Sequence, residues 1–168
     1  MRPIDEDFAA YVRSRQHRLL RAAYLVCGDR QTAEDLLQQA FVKLALRWDR
    51  IRHEHPDAFV RRVLYRDAIS AWRSTRRETL LVVPEEAGVG EETHVETRVD
   101  LERALRQLPP RQRAVLVLRY YEDRSEAETA EILGIAVGTV KSQAHDGLAR
   151  IRALVPQLSP TTTGGDPS

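Results

Sequence analysis

Cysteine is all but missing from this chain: Cys27 is the single one among 168 residues. An intramolecular disulfide is thereby excluded. Set beside Leu25 and Val26, Cys27 reads as a small buried hydrophobe in a reducing compartment. No base stands beside it, so no nucleophilic role is expected. Aromatic residues make up only 6%. No apolar run approaches the roughly 20 residues that a membrane-spanning helix needs, so no membrane insertion is expected. The opening Met1-Arg2-Pro3-Ile4-Asp5-Glu6-Asp7 lacks the apolar core of a signal peptide, and a cytoplasmic location follows as the expectation. There is no Gly-rich loop of the phosphate-cradling kind. The five histidines include one close pair, His53-x-His55, without a further ligand cluster, which suits a polar loop better than a metal. Neither a cofactor nor catalytic chemistry is expected.

What the chain has is charge, and the charge is segregated. The formal net charge is only +1. Residues 1–77 hold 16 basic and 10 acidic side chains, residues 78–100 hold one basic and 7 acidic, and residues 101–168 hold 9 basic and 8 acidic. A basic body, an acidic connector and a mixed body are three different electrostatic objects. The basic block suits a polyanionic partner, although a solvated helical surface would have the same composition.

Hydrophobic periodicity is helical throughout, which predicts an all-α fold of two small domains. Residues 8–27 carry an apolar stripe closed by Gly28-Asp29. Thr32 with Asp35 is expected to cap a second helix running to about Trp48. Residues 49–57 read as a polar loop, and residues 57–76 as a third helix. Residues 78–97, with Val82-Val83-Pro84 and Gly88-Val89-Gly90, read as a flexible acidic linker. A fourth helix is expected from about Glu96 to Leu108, broken by Pro109-Pro110. Another follows from Arg111 to Tyr121, with Tyr121 among its apolar anchors. The domains are accordingly expected at 1–77 and 98–156, and the Thr-, Pro- and Gly-rich residues 157–168 read as a disordered tail.

Two segments carry chemistry. Ser125-x-x-Glu128 is a capping box that opens a short helix, Gly134-Ile135 makes a turn, and a longer helix runs from about Gly138 to Leu154. Short helix, Gly turn and second helix form the helix-turn-helix pattern, whose second helix fits the DNA major groove. Thr139, Lys141, Ser142 and Gln143 stand where base edges and phosphates are reached, Arg150 is placed for the DNA backbone, and Val140 is expected to face the partner helix. An ordinary helical hairpin would show the same turn. The other segment is Arg61 to Arg77, where Arg62, Arg66, Ser70, Arg73, Arg76 and Arg77 are interleaved with Tyr65 and Trp72. Cations that track a backbone, beside aromatic rings, suit DNA held single-stranded. Trp72 also fits a core position.

Three stretches together resemble the extracytoplasmic-function (group IV) sigma factors, the smallest sigma-70-type initiation factors. Ala33-Glu34-Asp35-Leu36-Leu37-Gln38-Gln39-Ala40-Phe41 resembles region 2.2. Pro56 to Leu64 resembles the start of the region 2.3–2.4 helix. Leu108-Pro109-Pro110-Arg111-Gln112-Arg113, Tyr120-Tyr121-Glu122 and Gly138-Thr139-Val140-Lys141-Ser142 resemble region 4. Order and spacing agree over about residues 8–155. Gln143 with Gly147-Leu148-Ala149-Arg150 resembles an actinobacterial, SigE-like branch.

The resemblance implies a transcription initiation factor that binds RNA polymerase core, directs it to promoter DNA and promotes melting of the −10 element. It implies docking of Asp35, Gln38 and Phe41 on the β′ clamp helices, and contact of region 4 with the β flap. It implies −10 contacts from the helix after the base-capturing loop at 50–57, and −35 contacts from the last helix. An anti-sigma factor is a further partner class that the resemblance admits, and a form with both domains packed together would hide both DNA surfaces. The sequence departs from the family pattern at Gln39 (often Glu), Arg66 (often Asn), Ser70 (often Asp), Ala136 (commonly Ser) and Asp146 (commonly Arg). The alternative reading is a stand-alone helix-turn-helix regulator, which would bind duplex DNA by itself and ignore core polymerase.

Overall fold

The computed structural model describes residues 5–79 and 93–155. Those residues form α-helices and one π-helical turn, with no strand among them. Helix α1 (Glu6–Cys27) is capped by Asp5, whose carboxylate accepts from the Asp7 N–H. It ends at Gly28, where φ is +82° and the amide closes on the Tyr24 carbonyl, a left-handed cap that favours glycine. Helix α2 (Arg30–Ala45) starts three residues before the expected place. Asp29, not Thr32, is its N-cap, taking the Thr32 N–H at 2.8 Å and the Thr32 hydroxyl at 2.6 Å. The polar stretch expected as a loop contains one short helix, α3 (Trp48–Ile51), because Trp48 and Ile51 are buried. Helix α4 (Pro56–Thr79) opens with proline, which costs nothing in a first turn.

Helix α5 (Thr93–Gln107) begins earlier than Glu96, since no Gly or Pro follows Gly90 until Pro109. The expected linker 78–97 is therefore narrowed at both ends by helix. Its middle, 80–92, and the expected tail at 157–168 lie outside the described residues. Helix α6 (Pro110–Leu116) runs into a π-helical turn, Val117–Tyr121, closed by the Glu122 N–H to the Val117 carbonyl at 3.0 Å. That wider turn corrects one expectation. Tyr121 is not an anchor but solvent-facing, while Glu122 is turned into the interior. Helix α7 (Glu126–Leu133) has both halves of the capping box at Ser125 and Glu128. Gly134, at φ +65°, turns the chain into α8 (Val137–Leu154).

The two helical domains are α1–α4 and α5–α8, and one apolar core runs through both. Ala114, Val117, Leu118 and Ile132 of the second domain join Leu19, Val26, Leu37, Leu44, Val60 and Leu64 of the first. The helix-turn-helix has its own small core, Val115, Ala130 and Val140, so Val140 faces inward as expected. Helix α8 lies on α6 at Gly147, where an added Cβ would stand 3.1 Å from Leu116 Cδ1. Gly147→Val is expected to cost about 1–3 kcal/mol by overpacking, read as a lower thermal midpoint with an unchanged helical circular dichroism spectrum at 10 °C. An unchanged midpoint would place α8 farther from α6.

Candidate functional site

Three outward surfaces and one internal junction collect the chemistry-bearing residues. The first surface is on α2. Asp35 and Gln38 are exposed, and the same face continues through Gln39 and Val42 to Leu46 at spacings of three and four. Val42 is 55% exposed and Leu46 82%. An acid, two amides and two unpartnered aliphatics on one face suit a protein partner better than water. Val42 and Leu46 went unread in the sequence, although their spacing from Asp35 was the available signal. Phe41 is turned away from this face and is half-buried against the core, and Lys43 holds Asp67 of α4 at 3.2 Å.

The second surface is on α4. Arg62, Arg66, Ser70 and Arg73 are all exposed and recur every three or four residues along one face. Arg76 and Arg77 continue that register, with side chains outside the described residues. Trp72 is half-buried, under the Arg113 guanidinium at 5.0 Å from its ring centre, as a core position would have it. The loop before α4 is tied down. Arg52 pairs with Asp5 at 2.6 Å and with Asp7, and stacks on Trp48. Asp57 accepts from the Tyr11 hydroxyl at 2.7 Å and from Arg15 Nε at 3.1 Å. Burial pushes the Asp57 carboxyl up, but the bonds from Arg15 and Tyr11 outweigh it and hold the group below the usual carboxylate range. His53 and His55 are exposed, and no metal-binding cluster occurs among the described residues.

The third surface is on α8. Thr139, Lys141, Ser142 and Arg150 are exposed, while Gln143 is half-buried at the flank of the helix. Ala136 provides no side-chain cap, so the first amides of α8 keep their donors for another acceptor. Lys141 Nζ stands 3.7 Å from Glu126 of α7. The Ser142 hydroxyl donates back to the Gly138 carbonyl at 3.0 Å, which leaves its lone pairs rather than its proton for a partner. Asp146 is exposed one turn beyond Ser142, a negative charge within an otherwise neutral to basic face.

The internal junction was invisible in the sequence. Arg61 heads the run of arginines, yet its side chain is only 3% exposed. It reaches Glu122 of the other domain through Nε at 3.1 Å and Nη2 at 3.0 Å, and the Tyr65 hydroxyl donates to the same carboxylate at 2.6 Å. Burial first, then the Glu122 charge and hydrogen bond, push the Tyr65 hydroxyl well above its ordinary range. Arg113, fully buried, donates to the Val26 carbonyl at 2.8 Å in the last turn of α1, where a cation also complements the helix dipole. Arg21 bonds Glu102, and Arg106 donates to the Tyr24 hydroxyl at 2.9 Å.

Residues 11–78 match the family model described as Sigma-70 region 2, and residues 98–160 match Sigma-70, region 4. The chain is 42% identical over 152 residues to the RNA polymerase sigma-E factor of Streptomyces avermitilis, across 87% of this chain and 83% of that one. It is 31% identical over 163 residues to the ECF RNA polymerase sigma factor SigE of Mycolicibacterium smegmatis, across 90% of this chain and 62% of that one. Its fold is similar to the sigma factor RpoE of Bartonella quintana, solved in complex with the anti-sigma factor NepR, at a TM-score of 0.74 and 23% identity over 90% of this chain and 98% of that one. With both regions in chain order, the helix-turn-helix in the second and a relative alike along most of its length, this chain belongs to the sigma-70 family of RNA polymerase sigma factors, in its extracytoplasmic-function group.

Proposed function

We propose that each surface serves one step of initiation. The α2 face of Asp35, Gln38, Val42 and Leu46 docks on core polymerase, with Phe41 supporting it from inside. The α4 face of Arg62, Arg66, Ser70, Arg73, Arg76 and Arg77 holds the −10 element during melting. The α8 face of Thr139, Lys141, Ser142, Gln143 and Arg150 reads the −35 element. Region 2 spans about residues 1–77 and region 4 about 98–156. The chain acts by binding, performs no covalent chemistry, and works in the cytoplasm beside the chromosome. The observation that carries this reading is the separation of surfaces: a basic α4 face and a helix-turn-helix face sit on different domains, while α2 offers a face with little basic charge.

Run-off transcription with core enzyme on genomic fragments tests it. Transcripts with mapped start sites are expected only when the chain is added. Replacing Arg73 and Arg76 by Ala is expected to weaken open-complex formation and to flatten its dependence on log salt by about 2, since each lost phosphate contact removes roughly 0.9 from the slope. Duplex binding by the chain alone, with no effect on core, would favour the stand-alone regulator. Unchanged open complexes at every salt concentration would remove those arginines from the −10 surface.

A further inference from the structure

The exposed stripe of α4 does not begin at Arg62. Phe59 precedes it, and Phe59, Arg62, Arg66, Ser70 and Arg73 follow one another at spacings of three and four along one face. Phe59 is half-buried against the core. Over its ring lies the exposed Arg47, with the guanidinium carbon 5.5 Å from the ring centre. Arg47 comes from the corner between α2 and α3, where its backbone is fixed. Its N–H donates to the Leu44 carbonyl at 3.0 Å, and its carbonyl accepts from the N–H of Arg50 at 3.1 Å and of Ile51 at 3.0 Å. Trp48 and Ile51 anchor the same corner in the core. Among the described residues Arg47 pairs with no carboxylate, whereas Arg62 stands 3.6 Å from Glu131 and Arg66 3.4 Å from Asp67. Arg47 and Phe59 stand on either side of the polar segment 49–57, so it is the fold that puts a cation from outside α4 at the head of the α4 face.

We infer that Arg47, seated on Phe59, is a stacking surface for one unpaired base of the −10 element. This rests on the promoter-binding reading above and carries its −10 face past the start of α4 to the α2–α3 corner. A guanidinium is planar, delocalised and weakly hydrated, so it stacks on an aromatic ring with one face and receives a base on the other. An ammonium has no such plane. A base inside a duplex is covered on both sides and has no face to give, so the contact exists only once the strand is unpaired. Arg47 thereby favours the melted state over the paired one, and only such a difference shifts that equilibrium. Phe59 is a positioning residue: the guanidinium covers its ring, and its part is to hold Arg47 at the end of the stripe. Arg62 and Arg66, next along the same face, supply cations for the backbone of the strand whose base is stacked.

The test uses the full chain assembled with core polymerase. The probes come from a promoter mapped by run-off transcription, one fully paired and one forked, with either −10 strand left unpaired in turn. Arg47→Ala is expected to lower affinity for the forked probe about tenfold, the scale of one base stack. Affinity for the paired probe is expected to stay within about twofold, as for an exposed substitution. Arg47→Lys keeps the charge, loses the plane and is expected to lose as much as Arg47→Ala. Phe59→Leu is expected to lose about threefold on the forked probe, as a weakened stack would, and Phe59→Tyr, which restores a ring, to recover it. Abasic sites are then placed along the unpaired strand. One position is expected to cost the parent about tenfold and Arg47→Ala nothing more, because groups in contact are not additive. Full binding by Arg47→Lys would make Arg47 a phosphate contact and overturn the stack. So would a defect shared equally by paired and forked probes, or abasic losses that add to it at every position. If Arg73→Ala with Arg76→Ala also leaves the forked probe bound as before, the promoter reading itself falls. A loss there with none in Arg47→Ala sinks the stack alone.

Discussion

Asp35→Arg is expected to weaken binding to core polymerase at least a hundredfold, about 3 kcal/mol, and to abolish run-off transcription at concentrations that saturate the parent. Asp35 lies at the upper end of an exposed face that continues through Gln38 to Val42 and Leu46. Reversing a charge inside a docked interface replaces an attraction by a repulsion, and close interfacial charge pairs couple by about 1.5–7 kcal/mol. The fold should not notice. Among the described residues the carboxylate meets only the Gln31 side-chain amide, at 3.2 Å, on the helix surface. Exposed substitutions of this kind usually stay within about 0.5 kcal/mol. Co-elution with core and the thermal midpoint should be measured together. A lost complex with a retained midpoint is the expected result. Full core binding would remove α2 from the docking surface. Phe41→Ala is a poorer probe, because a half-buried ring against the core confounds docking with stability.

Lys141→Ala with Gln143→Ala is expected to erase the −35 footprint and to cost about 2–4 kcal/mol in −35-dependent binding, taking roughly 1–3 kcal/mol for each good base-edge contact. The two side chains flank the exposed face of α8, one on each side of Ser142, so their loss strips both edges of the reading helix. Lys141 must first leave Glu126, but a partly exposed pair at 3.7 Å offers little resistance. Asp146→Asn should move in the opposite direction. It removes an exposed negative charge from the same face, and binding is expected to tighten and to depend more steeply on salt. Footprinting of the three proteins on one promoter, each with core enzyme, separates the outcomes. An intact −35 footprint in the double variant would shift the reading residues to the exposed Thr139 and Arg150.

Local structure was legible because its causes are local. The capping box of Ser125 and Glu128, the glycine turns at 28 and 134, the proline breaks and the periodic stripes all act within about four residues. So does the α4 face of Arg62, Arg66, Ser70 and Arg73. Errors at this level were contests between neighbours. Asp29 beat Thr32 as the cap because an extended Asp can receive both donors of Thr32, its backbone N–H and its hydroxyl. The π-helical turn moved one residue's worth of winding, and with it exchanged Tyr121 for Glu122 as the inward side chain.

By itself, then, the order of amino acids determined an all-helical chain, the two regions, the helix-turn-helix and the faces that carry charge, since period, caps and turns are short-range physics. Only the tertiary structure decided which charges are available. Arg61 and Arg62 are adjacent in sequence, yet one is buried on Glu122 and the other faces solvent. Arg113 carries the same charge and spends it on the Val26 carbonyl, 87 residues away. A buried cation must find a partner wherever the fold brings one, and partners 61 and 87 residues distant leave no trace in the local pattern.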